Sequence, residues 1–405
     1  MARITLFTFP VTGHNAPLVP LVRELVGRAH AVRVATSRAF ATRFADAGAH
    51  VEHYAPSAIS DLVAPSENFL AVAGHLAGTT ERSLLAWAVD ELRRAPADVV
   101  LVDSMAPWGR LAAELTGTPC VTSCSSFVIT PRLGANLQAA ADVARRLPEG
   151  IRGLAEIARS RSALRHRFGV DCGGPMRLLS NRSPTTIVHT SAELHPPIGA
   201  LGRTVHFVGA SAAAGDAAAG EPGGALGELL REAADGAPLA YVSLGTIYHH
   251  RVDFLRRCAA ALAGAGWRVV VSAGSPDLLT QLGRLPAGTA AEVLPPQLPI
   301  LDRASLFVTH AGLNSVHEAL WRGVPMLTHP QAADQPIVAA RLARLGAGIR
   351  LPGREPSAAD IEAGARQLMA SDAARRAASL GAGLAALGGA AAAADLTLAA
   401  ATGPR

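Results

Sequence analysis

The chain has 405 residues, 49% of them hydrophobic, 17% charged and 4% aromatic, with a formal charge of +5 at pH 7. At about 150 residues per domain, that length predicts two or three domains with a sizeable core, and the composition excludes a disordered chain. All 37 basic residues are Arg, so a catalytic lysine, a Schiff base and a P-loop lysine are excluded, and their scatter among acids argues against a nucleic-acid partner.

The amino terminus, MARITLFTFPVTGHNAPLVPL, has an apolar stretch but no small-residue cleavage site, and it reaches a Gly/Pro loop by residue 13. It reads as a first core strand over 4–9, not a signal peptide. PLVPLVRELVGR then carries apolar residues at helical spacing, AVRVAT (31–36) is a strand, RAFATRFADAG a helix and HVEHY a strand. ADVVLVD (97–103), GRLAAELTG and PCVTSC repeat strand, helix, strand. That rhythm predicts an α/β fold with a parallel sheet covered on both faces. Residues 130–180 are helical with Arg-rich polar faces and read as an insertion beside the sheet.

Residues 213–237 are rich in Ala and Gly and read as an interdomain linker between a first half, 1–212, and a second, 238–385. In the second half, strands are expected at 239–245, WRVVVSAG, 306–310 and PMLTHP, with helices at FLRRCAAALAGAG and SVHEALWRG. Two such halves leave a cleft, and open parallel sheets bind ligands beyond the carboxyl ends of their strands. No G-x-G-x-x-G follows the first strand, which disfavours a dinucleotide site. The tail is interrupted by Asp395, and the four cysteines lack metal spacing. A cytoplasmic protein with no membrane partner is expected, as monomer or homodimer.

The segment 291–335 carries the densest chemistry. LFVT ends at His310, and Ala311-Gly312-Leu313-Asn314-Ser315 turn the chain into a helix running to about Trp321, with Asn314 or Ser315 as the expected N-cap. A helix N-terminus with a hydroxyl and an imidazole is an anion site suited to a diphosphate. Glu318, one turn on, can reach diol hydroxyls, and the next strand is expected to end at the polar pair Asp334-Gln335. In the first half, His14 follows the first strand and Asp103 ends the strand VVLVD. Each alone is more often a cap or turn residue, but together they stand at carboxyl ends in one half. A carboxylate bonded to one imidazole nitrogen orients the ring and stabilises its protonated form.

With Pro296-Gln297, His310, Gly312, Asn314, Ser315, Glu318, Gly323-Val324-Pro325 and Asp334-Gln335, the chain resembles the nucleotide-sugar-dependent glycosyltransferases. That family includes the bacterial macrolide glycosyltransferases and the plant and animal UDP-glycosyltransferases. The resemblance implies a GT-B fold, two Rossmann-like domains facing each other across a cleft. The first domain would bind the acceptor, the second the donor, and residues 386–405 would pack back on the first. It implies that His310, Asn314 and Ser315 hold the diphosphate, Glu318 the ribose, Gln297 the base edge, and Asp334 and Gln335 the sugar. YVSLGT looks like the second phosphate-facing loop, with Ser243, Gly245 and Thr246 at the donor. GHNAPLVPL and VDSMAPWGR match the context of the family's catalytic dyad, His14 and Asp103.

The implied reaction is inverting and metal-independent. A hexose passes from a UDP- or dTDP-sugar, the co-substrate, to a hydroxyl of a hydrophobic macrolide, polyketide or phenolic acceptor. No cofactor is expected, and the chain has no Asp-x-Asp triplet. Phe69, Met105, Trp108 and Phe127 are the candidate acceptor wall. The chain departs from the family at Leu294, where an aromatic residue usually stacks on the base, and at Pro295, which lacks an N–H. The competing readings are a nucleotide-sugar 2-epimerase or hydrolase of the same fold, and a non-catalytic partner of a glycosyltransferase.

Overall fold

The computed structural model describes residues 1–54, 68–130, 147–197, 202–211, 223–245 and 251–402. The chain divides into two compact units, Met1–Ala213 with Leu387–Arg405, and Ala214–Ala386.

In the first unit the strands are β1 (Arg3–Phe7), β2 (Ala31–Thr36), β3 (His50–His53), β4 (Val99–Asp103), β5 (Cys120–Cys124), β6 (Thr185–Val188) and β7 (Val205–Phe207). They form one parallel sheet in the order β3-β2-β1-β4-β5-β6-β7. Both faces are covered, as the crossover helices of a parallel sheet require. Side-chain alternation sorts the strands between two cores. Ile4, Leu6, Val32, Val34, Val99 and Leu101 face helix Leu18–Gly27, while Phe7, Ala35, Val100 and Val102 face helices Leu85–Arg94 and Pro107–Thr116.

The last helix, Gly389–Thr402, packs beside helix Leu18–Gly27, with Ala393 and Ala394 in the same core. Its entry is tight: Gly388 and Gly389 have positive φ, and Gly389 N–H donates to the Val208 carbonyl. The segment Ala373–Thr402 is apolar enough for a membrane span by composition. It is nevertheless two 14-residue helices, Ala373–Ala386 and Gly389–Thr402. At 1.5 Å per residue each is roughly 21 Å long, short of the hydrocarbon core of about 30 Å.

The expected insertion holds helices Leu147–Phe168 and Pro175–Ser180. The long helix buries Gly150, Gly153, Ile157, Ser160 and Leu164 against helix Phe69–Thr79. Here the backbones nearly touch. A Cβ on Gly74 would lie 2.6 Å from Gly153 Cα, and one on Gly153 would collide with the Leu70 carbonyl.

In the second unit the strands are β8 (Leu239–Ser243), β9 (Arg268–Ser272), β10 (Thr289–Glu292), β11 (Leu306–Thr309), β12 (Met326–Thr328) and β13 (Gly348–Arg350). They form a parallel sheet in the order β10-β9-β8-β11-β12-β13, the same winding as the first six strands of the other unit. The interval expected to be linker carries helix Gly224–Ala234, packed on this sheet. Leu226, Leu229 and Leu230 at i, i+3 and i+4 give it a buried stripe, which the surrounding Ala and Gly obscured.

Replacing Gly153 by Val should force the two helices apart. The expected cost is about 3 kcal/mol, read as a lower thermal midpoint, while Gly169→Ala, which adds a Cβ in open space, tests the strain of positive φ alone.

Candidate active site

The strand order reverses once in each sheet, between β1 and β4 and between β8 and β11. At such a point the two connections leave in opposite directions and open a crevice at the carboxyl edge. His14 and Asp103 stand at the first of these places, and Ser243, Gly245 and His310 at the second.

At the first, β1 runs through Phe9 into the short helix Thr12–Asn15, which carries His14, and Asp103 ends β4. His14 Nδ1 lies 2.9 Å from Asp103 Oδ1 and 3.0 Å from Oδ2. Asp103 is wholly buried, whereas the His14 side chain keeps 20% of its surface. An ionised carboxylate only accepts, so towards it Nδ1 is the donor, and in a neutral ring Nε2 is then the nitrogen left unprotonated. Asp103 Oδ1 also accepts the Met105 N–H at 2.7 Å.

Two residues absent from the sequence reading complete this site. Ser125 Oγ lies 3.1 Å from His14 Nδ1. Asn181, buried and left-handed at φ 39°, donates from Nδ2 to the Asp103 carbonyl, and its Oδ1 accepts from Arg110 Nε. No local pattern marks either residue, because the contacts span 111 and 78 positions.

At the second reversal β8 ends at Ser243 and β11 at Thr309, and these two residues pair in register. His310 packs between glycines: a Cβ on Gly245 would lie 2.7 Å from its ring, and one on Gly312 would collide with it. Gly245 has φ +78°, and Ala311 takes the left-handed φ of 66°. Helix Leu313–Trp321 follows, but its N-cap is Gly312 with no side-chain cap. Asn314 and Ser315 therefore lie in the first turn instead of capping it, because the glycine turn starts the helix earlier. Gln297 Nε2 donates to Ser315 Oγ at 3.3 Å and to Glu318 Oε2. The three residues thus form one cluster beside the helix start.

The third polar station also shifts. β12 ends at Thr328, and Asp334-Gln335 start helix Gln335–Leu345, six residues past the strand. Gln335 Oε1 accepts the N–H groups of Gln331 and Ala332 at 2.7 and 3.1 Å. Ala333, inside that loop, is left-handed at φ 56°. Leu294 is 60% exposed, and the adjacent Pro295 is buried. Thr246 lies outside the described residues.

Trp108 and Phe127, expected in the acceptor wall, are buried. Trp108 is wholly buried and packs edge-on against Tyr54, and Phe127 does the same against His195. Phe69 and Met105 are partly buried against the first-unit core.

Burial lowers the pKa of His189, His310 and His329 to about 4 in each case. At neutral pH His310 is therefore uncharged and offers an N–H instead of a charge.

Known proteins fit this arrangement. The family model for UDP-glucoronosyl and UDP-glucosyl transferase matches residues 188–378. Oleandomycin glycosyltransferase of Streptomyces antibioticus is 30% identical over 365 residues, covering 88% of this chain and 81% of that protein. The NDP-glycosyltransferase YjiC of Bacillus subtilis (strain 168) is 26% identical over 375 residues, covering 91% and 89%. Among solved structures, the glycotransferase of kitacinnamycin superposes with a TM-score of 0.83 at 26% identity, covering 98% of this chain and 99% of that one. Two Rossmann-like parallel sheets of this order are the GT-B fold of glycosyltransferases. The chain belongs to the UDP-glucoronosyl and UDP-glucosyl transferase family and is a glycosyltransferase.

The depressed histidines make folding pH-dependent. Their folded pKa lies below the unfolded value of about 6.5, so the unfolded chain binds more protons between the two. Their contribution is complete above pH 6.5 and is lost as pH falls towards 4. The thermal midpoint should drop across that window, with a slope on the order of 1 kcal/mol per pH unit for each buried histidine. In His189→Gln the slope should be shallower, as calorimetry at pH 7 and pH 5 would show.

Proposed function

We propose that the enzyme transfers a hexosyl group from a UDP- or dTDP-sugar to a hydroxyl of a hydrophobic natural product, by a single inverting displacement without a metal. The carrying observation is the hydrogen-bonded pair His14–Asp103 at the strand-order reversal of the first sheet. The oleandomycin relative supports a natural-product acceptor, which we take to be a macrolide, polyketide or phenolic compound.

An acceptor hydroxyl is too weak an acid to attack unaided at neutral pH. In this reading His14 Nε2 takes its proton as the oxygen bonds to the anomeric carbon. The bond from that carbon to the diphosphate breaks, and its electron pair leaves with the phosphate. Asp103 stabilises the resulting imidazolium through Nδ1. The base stands on one unit and the donor residues on the other.

The leaving diphosphate gathers negative charge. The first-turn N–H groups of helix Leu313–Trp321, with Asn314, Ser315 and the His310 N–H, are suited to meet it. That helix end supplies the positive potential a metal would otherwise give. Ser243 and Gly245 stand at the end of β8, where glycine leaves room for His310, and Thr246 would join them at the diphosphate. Glu318 would accept from the ribose hydroxyls, with Gln297 beside it at the base edge. Leu294, largely exposed, would cover a pyrimidine face by apolar contact, and Pro295 supplies no backbone donor. Such apolar cover would suit either uracil or thymine. Asp334 and the Gln335 amide would hold the hexose, the Gln335 oxygen being used within its own loop. Phe69 and Met105 remain the candidate acceptor wall.

In His14→Ala, turnover should fall by about 100- to 10,000-fold, while the Kd for UDP or dTDP stays unchanged. A mass-spectrometric screen of UDP- and dTDP-sugars against phenols and macrolides supplies the substrates. Undiminished turnover in the variant would contradict the assignment. Donor consumed at a catalytic rate without acceptor, yielding an epimer or free sugar, would favour the epimerase or hydrolase.

A further inference from the structure

The serine-rich end of β5, Val121-Thr122-Ser123-Cys124-Ser125-Ser126, is unused by the reaction as described. Its small polar side chains hold two histidines. Ser123 pairs in register with Asp103, and its Oγ lies 2.8 Å from His189 Nε2. Ser125, two residues further along the carboxyl edge, lies 3.1 Å from His14 Nδ1 and is itself buried. His14 Nδ1 thus faces three oxygens at 2.9, 3.0 and 3.1 Å, two from Asp103 and one from Ser125.

We propose that Ser125 is a positioning residue for the base, its hydroxyl oxygen sharing the Nδ1 proton of His14 with Asp103 and fixing the orientation of the ring. The inference rests on His14 being the base. One N–H shared with a carboxylate alone leaves the imidazole able to swing about that contact. An oxygen from a different strand end removes that freedom and keeps Nε2 aimed in one direction. As an acceptor towards Nδ1, Ser125 also stabilises the charged ring, because a hydrogen bond to the charged form favours it.

The ionisable neighbours leave a clear readout. Asp103 faces His14 from β4, and Tyr54, whose hydroxyl donates to the Thr8 carbonyl, is near enough to Asp103 to feel its charge. Burial pushes Tyr54 far up and holds His189, after β6, at about 4. Arg110 reaches the Asp103 backbone only through Asn181, and its pKa is lowered by burial. Among these, His14 is the group expected to set the acid limb of kcat/KM.

The test compares Ser125→Ala, Ser125→Thr and His14→Ala in the full chain. The measurements are kcat, the pH profile of kcat/KM and the Kd for UDP or dTDP. In Ser125→Ala, kcat should fall about tenfold, the weight of one lost hydrogen bond to a charged group. The acid limb should move to lower pH by about half a unit, with the nucleotide Kd unchanged. Ser125→Thr, which keeps the hydroxyl, should restore both rate and limb.

A Ser125→Ala enzyme with normal rate and an unmoved limb, beside an inactive His14→Ala, would overturn the role of Ser125 alone. So would a slower enzyme with an unmoved limb or a weakened nucleotide Kd, since the loss would then be structural or a donor contact. If Ser125→Thr folds poorly, Ser125→Gly replaces it and should behave as Ser125→Ala. Full turnover in His14→Ala would instead remove the base assignment on which the inference stands.

Discussion

A carboxylate at the wholly buried end of a central strand is costly unless its oxygens find partners, and the His14–Asp103 hydrogen bond supplies one. The rest of the first site follows from it. The bond selects the imidazole tautomer, holds the short helix Thr12–Asn15 over the strand edge, and couples β1 to β4 where their connections part. Asn181 secures the same strand end from behind. It accepts a left-handed backbone at φ 39° while its N–H donates to the Arg177 carbonyl and its other polar atoms bond Asp103, Arg110 and Thr122. Strained residues persist where surrounding bonds over-determine them, and such places cluster at functional sites.

The second unit has the same winding and a different chemistry at its reversal. Where the first places an imidazole on a buried acid, the second places an imidazole between two glycines beside an uncapped helix start. Burial lowers the His310 pKa to about 4, which keeps it a neutral donor. The left-handed alanines at 311 and 333 mark the two loops of this unit that carry the polar stations. Strand order decides where a site can be. The residues at the strand ends decide what it does.

Much of this was legible in the chain. β2 coincides with the apolar run at 31–36, β4, β8 and β11 fall within their expected runs, and β1 overlaps its expected 4–9 but starts at Arg3 and ends at Phe7. The motif residues at 310–318 converge at one strand end because they are local in sequence. Short strands such as Val205–Phe207 and Gly348–Arg350 were not legible, since three residues carry no periodicity. The helix at Gly224–Ala234 was hidden by an Ala- and Gly-rich background. Trp108 showed its type but not its direction, and burial decided that it belongs to the core. Ser125 and Asn181 act through contacts over long sequence separation, which no local pattern records.

The most direct test of the displacement is the anomeric configuration of the product. An α-linked donor should yield a β-glycoside, read from the coupling constant of the anomeric proton by NMR, because attack opposite the leaving diphosphate inverts the carbon. An α-glycoside from the same donor would contradict a single displacement with His14 as base.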